Sequence, residues 1–299
     1  MRKLHLVKSL LISDFPSGSS INYYEGKFYL IGDDSRNVMV MNSDYEGLGS
    51  IHLFDHAEQR IAKQEKVDLE GSAVVRLDNR DNLLIVGSGS RKNRKRIILI
   101  PLTQAGLEID GMQHAIYKTK DFLKRIEAAG LPEINLEGVT LVNNELVLGN
   151  RGNRSTQDNH LIVTNPNFWE NQDNADLAIK RLIMPAHHTK DVLGVSELCY
   201  IRENDTLLIS FTSEATDNSF DDGEIGDSYI AWISDASAQL LKNEIVLDTL
   251  VNLSTVDEVF KRQKVEGMCY QRAGADFTLH LVADNDNGES RLFQVLMNF

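Results

Sequence analysis

Residues 136–150 read LEGVTLVNNELVLGN. Two β-rich runs, Val139 to Val142 and Glu145 to Leu148, flank Asn143-Asn144, a pair that tolerates tight or left-handed backbone. The stretch therefore predicts a β-hairpin opened by Glu137-Gly138. The same opening recurs along the chain. Starts at Ser19-Ser20-Ile21, Glu70-Gly71-Ser72-Ala73, Ser196-Glu197-Leu198 and Glu266-Gly267-Met268 join the one at Glu137, with spacings of 51, 67, 59 and 70 residues. Each is followed by a turn and a second strand: Lys27 to Ile31, Leu83 to Val86, Glu145 to Leu148, Thr206 to Phe211 and Phe277 to Val282. Val38 to Met41, Arg96 to Ile100, His160 to Val163, Tyr229 to Ile233 and Leu292 to Val295 supply a third strand, whereas fourth strands carry no clear pattern. A repeat of this length suits a four-stranded blade, and the expected fold is an all-β, five-bladed β-propeller with short inter-blade helices, residues 1–299 forming a single domain.

Two segments break the β pattern. Lys120 to Ala129 places Phe122, Leu123 and Ile126 at helical spacing and stops at Gly130, ahead of Pro132. Thr255 to Arg262 is the second expected helix, with Ser254 as N-cap before an acidic first turn. The opening segment, Leu4 to Ile12, has no blade of its own and is expected to close the ring against the last blade, which removes exposed strand edges.

Composition narrows the class of partner. Of 299 residues 44 are acidic and 31 basic, a net charge of -13, so nucleic acid and anionic membranes are repelled at long range and neither is an expected partner. Cys199 and Cys269 are too few for a disulfide framework and read as buried small hydrophobes in a reducing compartment. His5, Lys8 and Ser9 interrupt the apolar N-terminal stretch, which argues against a cleaved signal peptide, and no run of eighteen apolar residues exists. Cytoplasmic residence is the expectation.

In a propeller the innermost strand of every blade runs beside the channel, so equivalent positions form a ring. The repeat places Ser19, Glu70, Glu137, Ser196 and Glu266 there. Three carboxylates within about 5 Å repel by roughly 3 kcal/mol per pair at an effective dielectric near 20, which raises their pKa values or demands a cation. Glutamate and serine oxygens without Cys or His suit Ca²⁺ better than Zn²⁺. The alternative is a metal-free ring in which each Glu accepts hydrogen bonds from backbone amides. Around the ring lie the ends of the second strands and the loops after them: Asp33, Asp34 and Arg36; Ser88, Ser90, Arg91 and Arg94; Asn150, Arg151 and Arg154; Thr212, Ser213 and Glu214; Asp284, Asn285 and Asp286. Arginines from successive blades suit a small anionic ligand or phosphorylated substrate, for which Arg36, Arg91, Asn150, Arg154 and Thr212 are candidate binding residues. Asp33 and Asp34 are candidates to handle a proton, with Arg151 steadying developing charge; Gly-Asp-Asp-Ser is equally good turn chemistry. Asp217, Asp221, Asp222 and Asp227 read as a loop, and His187 and His188 have no spaced partner for zinc.

Several of these stretches resemble the calcium-activated nucleotidases, the apyrase family of five-bladed propellers. They are SSINYYEGKFYLIGDD at Ser19 to Asp34, Ile126 to Gly130 followed by INLEG, and GVSEL at Gly194 to Leu198 ahead of SYIAWI at Ser228 to Ile233. The resemblance runs from about Pro16 to Met268. It implies a channel Ca²⁺ bound in the order Ser19, Glu70, Glu137, Ser196, Glu266, and hydrolysis of a nucleotide-like phosphoanhydride with an acid near Asp33 and Asp34 and an arginine near Arg151. The family's tryptophan after the first ring glutamate is Gly71 here, and its acidic segment ahead of the first blade has no clear counterpart before Ser19. A non-catalytic Ca²⁺-stabilised binder of an anion, or a propeller lactonase or esterase, are the rival functions.

Overall fold

The computed structural model describes residues 3–102, 109–131, 133–185, 192–214, 225–274, 276–285 and 288–298. Its strands form five sheets. β1 (Lys3–Ile12) precedes the first sheet, which is made of β2 (Gly18–Tyr24), β3 (Lys27–Gly32), β4 (Asn37–Asn42) and β5 (Gly47–His52). The second holds β6 (Leu69–Leu77), β7 (Arg80–Gly87), β8 (Arg96–Pro101) and β9 (Ala115–Lys118). The third holds β10 (Leu136–Val142), β11 (Glu145–Asn150), β12 (His160–Thr164) and β13 (Ala178–Ile183). β14 (Leu193–Ile201), β15 (Thr206–Glu214) and β16 (Ile225–Ser234) open the fourth. After β17 (Glu244–Val246), β18 (Thr249–Asn252) completes that sheet. The last blade comprises β19 (Val265–Ala273), β20 (Asp276–Asp284) and β21 (Ser290–Asn298), with β1 antiparallel along the outer side of β21. The inner strands β2, β6, β10, β14 and β19 pack beside one another in a closed circle, so the fold is a five-bladed β-propeller closed by its first strand. One strand lies outside the four-per-blade expectation: β17, from the connection between β16 and β18, pairs in parallel with β13 and clasps the fourth blade to the third.

Every inner strand carries the same irregularity. The pairing to the second strand shifts register between Gly18 and Ser20, Leu69 and Gly71, Leu136 and Gly138, Val195 and Glu197, and Val265 and Gly267. The extra residues are Ser19, Glu70, Glu137, Ser196 and Glu266, the five positions the sequence repeat aligns. A bulge breaks the strict alternation of side chains and increases local twist, which re-aims one side chain. The glycine after each ring glutamate has its own cause. A Cβ on Gly71 would meet the Val139 amide nitrogen at 2.9 Å, one on Gly138 the Leu198 nitrogen at 2.6 Å, and one on Gly267 the Ser20 Cα at 2.7 Å. Successive inner strands therefore touch backbone to backbone just below the bulge, and Gly71 stands where a tryptophan would not fit.

Apolar side chains of facing blades interlock in five clusters, one for each blade-to-blade contact. Phe28, Phe122, Phe211, Phe260 and Phe293 are fully buried, and truncating a side chain of this kind costs about 3–5 kcal/mol. α1 (Lys120–Ala128) contributes Phe122, Leu123 and Ile126 to the contact between the second and third blades and ends at Gly130, whose φ is 106°. The second expected helix is instead two 3-10 turns, Leu253–Thr255 and Glu258–Phe260. Asn252, not Ser254, caps the first by accepting from the Ser254 amide, and Asp257 does the same for Val259. Each side chain supplies a local partner two residues on, competing with a continuous i to i−4 ladder, and Phe260 reaches the core from the second turn. Cys199 and Cys269 are buried free thiols. Among the described residues no helix is long and apolar enough to cross a membrane.

His280 lies between the last and first blades, 1% exposed, its ring 4.5 Å from that of Phe28 and its Nδ1 2.5 Å from the Tyr45 hydroxyl oxygen. Burial lowers its pKa to about 4, and Nε2 has no partner. The folded-state pKa is below the unfolded value, so the unfolded chain takes up the proton first as pH falls. The resulting loss of stability begins near pH 6.5 and reaches about 3 kcal/mol by pH 4. Urea titrations across this range should show a shallower acid slope for His280→Gln than for the parent; equal slopes would refute it. Gly138→Ala forces a methyl into the Glu197–Leu198 backbone and is expected to lower stability by about 1–3 kcal/mol or more, read as a drop in urea midpoint.

Candidate functional site

The mouth of the channel is built by a second repeated contact. The carbonyl two residues before the bulged position accepts the amide of the residue at the end of the second strand: Asp33 to Ser17 at 3.1 Å, Ser88 to Asp68 at 2.9 Å, Arg151 to Asn135 at 2.9 Å and Asp284 to Lys264 at 3.1 Å. Asp33, Ser88, Arg151 and Asp284 are thereby tied to the entry of their own blade's inner strand, and in the fourth blade Thr212, paired with Gly194, holds the corresponding place. Ser17 and Asp68 adopt the left-handed region at φ 61°, which turns the entering chain over the mouth.

Charges alternate there. Lys66 Nζ pairs with Asp33 Oδ2 and lies 2.8 Å from Asp68 Oδ1, while Asp68 Oδ2 accepts from Arg94 Nη1 at 2.5 Å and Ser88 Oγ at 2.6 Å. Burial opposes ionisation of Asp68, but Lys66 and Arg94 outweigh it and hold the carboxyl below its usual range. Carboxylate oxygens of Asp33, Asp68 and Glu70 come within 4.8 Å of one another. Among the described residues the Glu70 carboxyl makes no hydrogen bond or ion pair. Burial, then Asp68, Glu137 and Asp33, push it well above the carboxylate range against the pull of Lys66. Asp33 is also pushed up, chiefly by burial, and its Oδ1 has no partner.

Across the mouth, Glu137 accepts from Asn135 Nδ2 at 2.5 Å and lies 3.8 Å from Arg151 Nη1. Arg151 crosses to the fourth blade over Gly194, where a Cβ would sit 2.6 Å from its Cγ, and reaches Ser196 Oγ at 3.5 Å. Ser196 Oγ shares a hydrogen bond with Thr212 Oγ1 at 3.0 Å, and Ser19 Oγ donates to the Leu69 carbonyl at 2.5 Å. Glu266 pairs with Lys264 Nζ at 2.9 Å, and burial, Asp284 and Glu137 still leave it well above the usual range. Below the ring a buried carboxyl closes the axis. Glu197 Oε2 accepts from Ser20 Oγ at 2.6 Å, and its Oε1 from the Val139 and Leu198 amides at 3.1 and 3.0 Å. Burial pushes Glu197 well up despite these donors.

The five ring positions and Asp33, Arg151 and Thr212 thus converge. Asp34 turns to Arg60, whose Nε donates to Oδ2 at 2.8 Å. Arg36 Nη1 donates to the His56 carbonyl at 2.6 Å, and Asn150 ties the Glu133–Asn135 segment by accepting from the Asn135 amide at 2.9 Å, so both act as loop clamps. Arg91 and Arg154 are exposed. Asp227 accepts from Asn252 and Ser254, whereas Asp217, Asp221, Asp222, Asp286, His187 and His188 lie outside the described residues, as does the side chain of Glu214. Sequence reasoning missed Lys66, Asp68, Lys264 and Glu197. The first three had a signal, since Lys66-x-Asp68-x-Glu70 and Lys264-x-Glu266 place charge at fixed offsets before a ring residue. The acid at Glu197 had none, because only the neighbouring blades bury it.

The architecture defines a five-bladed β-propeller with a charged, polar site at one mouth of its channel. The chain belongs to the family described as "Family of unknown function (DUF6929)", whose model matches residues 14–297. No match was found among curated proteins. Solved structures similar to it include the glutaminyl cyclase of Myxococcus xanthus, with TM-score 0.56 and 11% identity over 99% of this chain and 97% of that one. The Malassezia sympodialis allergen Mala s 1 has TM-score 0.55 and 10% identity over 97% and 96% of the two chains. A GH43 β-1,3-galactosidase solved with galactodeoxynojirimycin has TM-score 0.51 and 9% identity over 94% and 90%. At these identities the likeness is one of fold.

Lys66→Met leaves Asp33 without its ammonium and Asp68 with only Arg94 and Ser88. A loss of about 3–5 kcal/mol is expected at neutral pH, shrinking in acid as Asp33 takes a proton. Chemical unfolding at both pH values reads this, and a cost below 1 kcal/mol would mean the network is solvated.

Proposed function

We propose that the channel mouth is a hydrolase site for a small anionic substrate, a phosphate ester or anhydride first, with Glu70 transferring the proton. The observation that supports this above all is the contrast between two neighbouring carboxyls. Glu70 is unpaired and pushed toward its protonated form, while Asp68 beside it is held ionised by Lys66 and Arg94. Environments that drive adjacent carboxyls apart are those that assign acid and base roles. Arg151, facing Ser196, and Lys66 are placed to meet anionic oxygens of the substrate. Asp33 Oδ1, buried and unpartnered, is a second acceptor for a water or proton.

The charge balance bears on the metal. Asp33, Asp34, Asp68, Glu70, Glu137, Glu266 and Asp284 face Arg60, Lys66, Arg94, Arg151 and Lys264, a formal excess of two negative charges. Two protons or one divalent cation would meet it. Glu70 and Asp33 Oδ1 have free hard-oxygen valences, so the donor set fits Ca²⁺, with Glu137 and Glu266 across the ring. Bound there, the ion would supply Lewis-acid polarisation of a substrate oxygen. The likeness of ring order to the calcium-activated nucleotidases supports the same ion and points to nucleotide-like substrates.

A second reading, capture of an anion without turnover, draws support from the side-chain cations. Lys66, Arg151 and Lys264 stand beside Glu70, Glu137 and Glu266 and neutralise much of the ring internally. Metal-stripped protein should gain roughly 5 °C or more in unfolding midpoint with saturating Ca²⁺, and Glu70→Gln should lose most of that gain together with any turnover of phosphate esters, anhydrides and lactones. Ligand-induced stabilisation with every substrate intact would favour the binding module. Absence of any Ca²⁺ shift would withdraw the metal and leave the ring held by protons and lysines.

A further inference from the structure

On the opposite side of Glu197 the inner strands line a half-open cavity of about 220 Å³. Its walls come from the residues two to four places after each bulge, and three of the five fourth places are tyrosines: Tyr23, Tyr200 and Tyr270. No charged side chain among the described residues lines it. Cys199 and Cys269 form part of the wall, and burial, reinforced by the nearby Glu197, keeps both thiols protonated. This argues against a thiolate metal site.

Negative charge stands just behind the lining. Tyr200 donates its hydroxyl proton to Asp205 Oδ1 at 2.9 Å and Tyr270 to Glu203 Oε2 at 3.0 Å, which enriches both rings in electron density. Ser72 in the floor shares a 2.7 Å hydrogen bond with Ser20, which in turn donates to Glu197. Arg202, on the same turn as Glu203, is exposed and does not line the cavity. Tyrosine side chains in the lining, two of them hydrogen-bonded to carboxylates, attract a cation that carries no strict hydrogen-bond demand, whereas a hard metal ion would find no carboxylate oxygen in the wall among the described residues.

We infer that this cavity is a second ligand site, separate from the carboxylate mouth, for a small organic cation of the quaternary ammonium class. Its selectivity comes from the tyrosine side chains and from the absence of any basic group among the described lining residues. Ring and cavity are divided by the Glu197, Ser20 and Ser72 hydrogen bonds, so occupancy of one does not require the other.

Choline, tetramethylammonium and 3,3-dimethylbutan-1-ol, the uncharged isostere of choline, are titrated into the full chain at matched ionic strength by calorimetry and thermal unfolding. Choline and tetramethylammonium should bind and stabilise, with the alcohol at least about tenfold weaker. Tyr200→Leu and Tyr270→Leu should each weaken choline by about fivefold or more, while Glu70→Gln leaves its affinity unchanged. Equal binding of choline and the alcohol overturns the cation preference, as does silence from all three probes. Loss of choline binding in Glu70→Gln would move the ion to the carboxylate mouth and overturn the second site. If a tyrosine variant fails to fold, the parent protein and Glu70→Gln together still decide between the cavity and the carboxylate mouth.

Discussion

A β-bulge at the head of each inner strand turns one side chain out of the strand's alternation, and the chain repeats this at Ser19, Glu70, Glu137, Ser196 and Glu266. The rest of the molecule is arranged around that crowding. Five strand heads meeting on one axis leave no room for a Cβ after the glutamates, which accounts for Gly71, Gly138 and Gly267. They also bring carboxyls together at a depth where water screens them only in part, so cations from nearby chain positions are drawn in.

The way in which those charges are met distinguishes one blade from another. Glu266 takes a lysine two residues earlier on its own strand entry, Glu137 is approached by an arginine from its own second strand, and Glu70 is left with only the field of Lys66. A symmetric scaffold therefore holds an asymmetric mouth, with one unpaired carboxyl among paired ones. Buried groups that must share too few cations respond by holding protons, and a protonated acid beside an ionised one is the raw material of acid–base chemistry. The same channel changes character below Glu197, where the lining among the described residues holds hydroxyls, thiols and tyrosines in place of ionic groups.

Function stays a property of these side chains and not of the propeller, since the fold carries diverse proteins. The family match spans nearly the whole chain, and the structural neighbours share its architecture at low identity.

How much of this was legible along the chain follows from the range of each interaction. Strand pairs, their turns, the α1 helix and the five ring positions were readable because alternation, turn preference and repeat spacing act over a few residues and recur. The closing role of the first strand followed from the same logic, as an unpaired segment in a ring with open edges. The partners of the ring were not readable. Arg36 and Asn150 looked like ligand residues but clamp loops, Asp34 is held by Arg60, and the segment after Asn252 broke into 3-10 turns under its own side-chain caps. By itself the sequence determined the blades and which residue of each faces the axis, since both depend on local backbone and pattern. Only the tertiary structure decided which carboxyl is left unpaired and which tyrosines share a cavity, because those outcomes depend on strands from different blades brought within a few ångströms of each other.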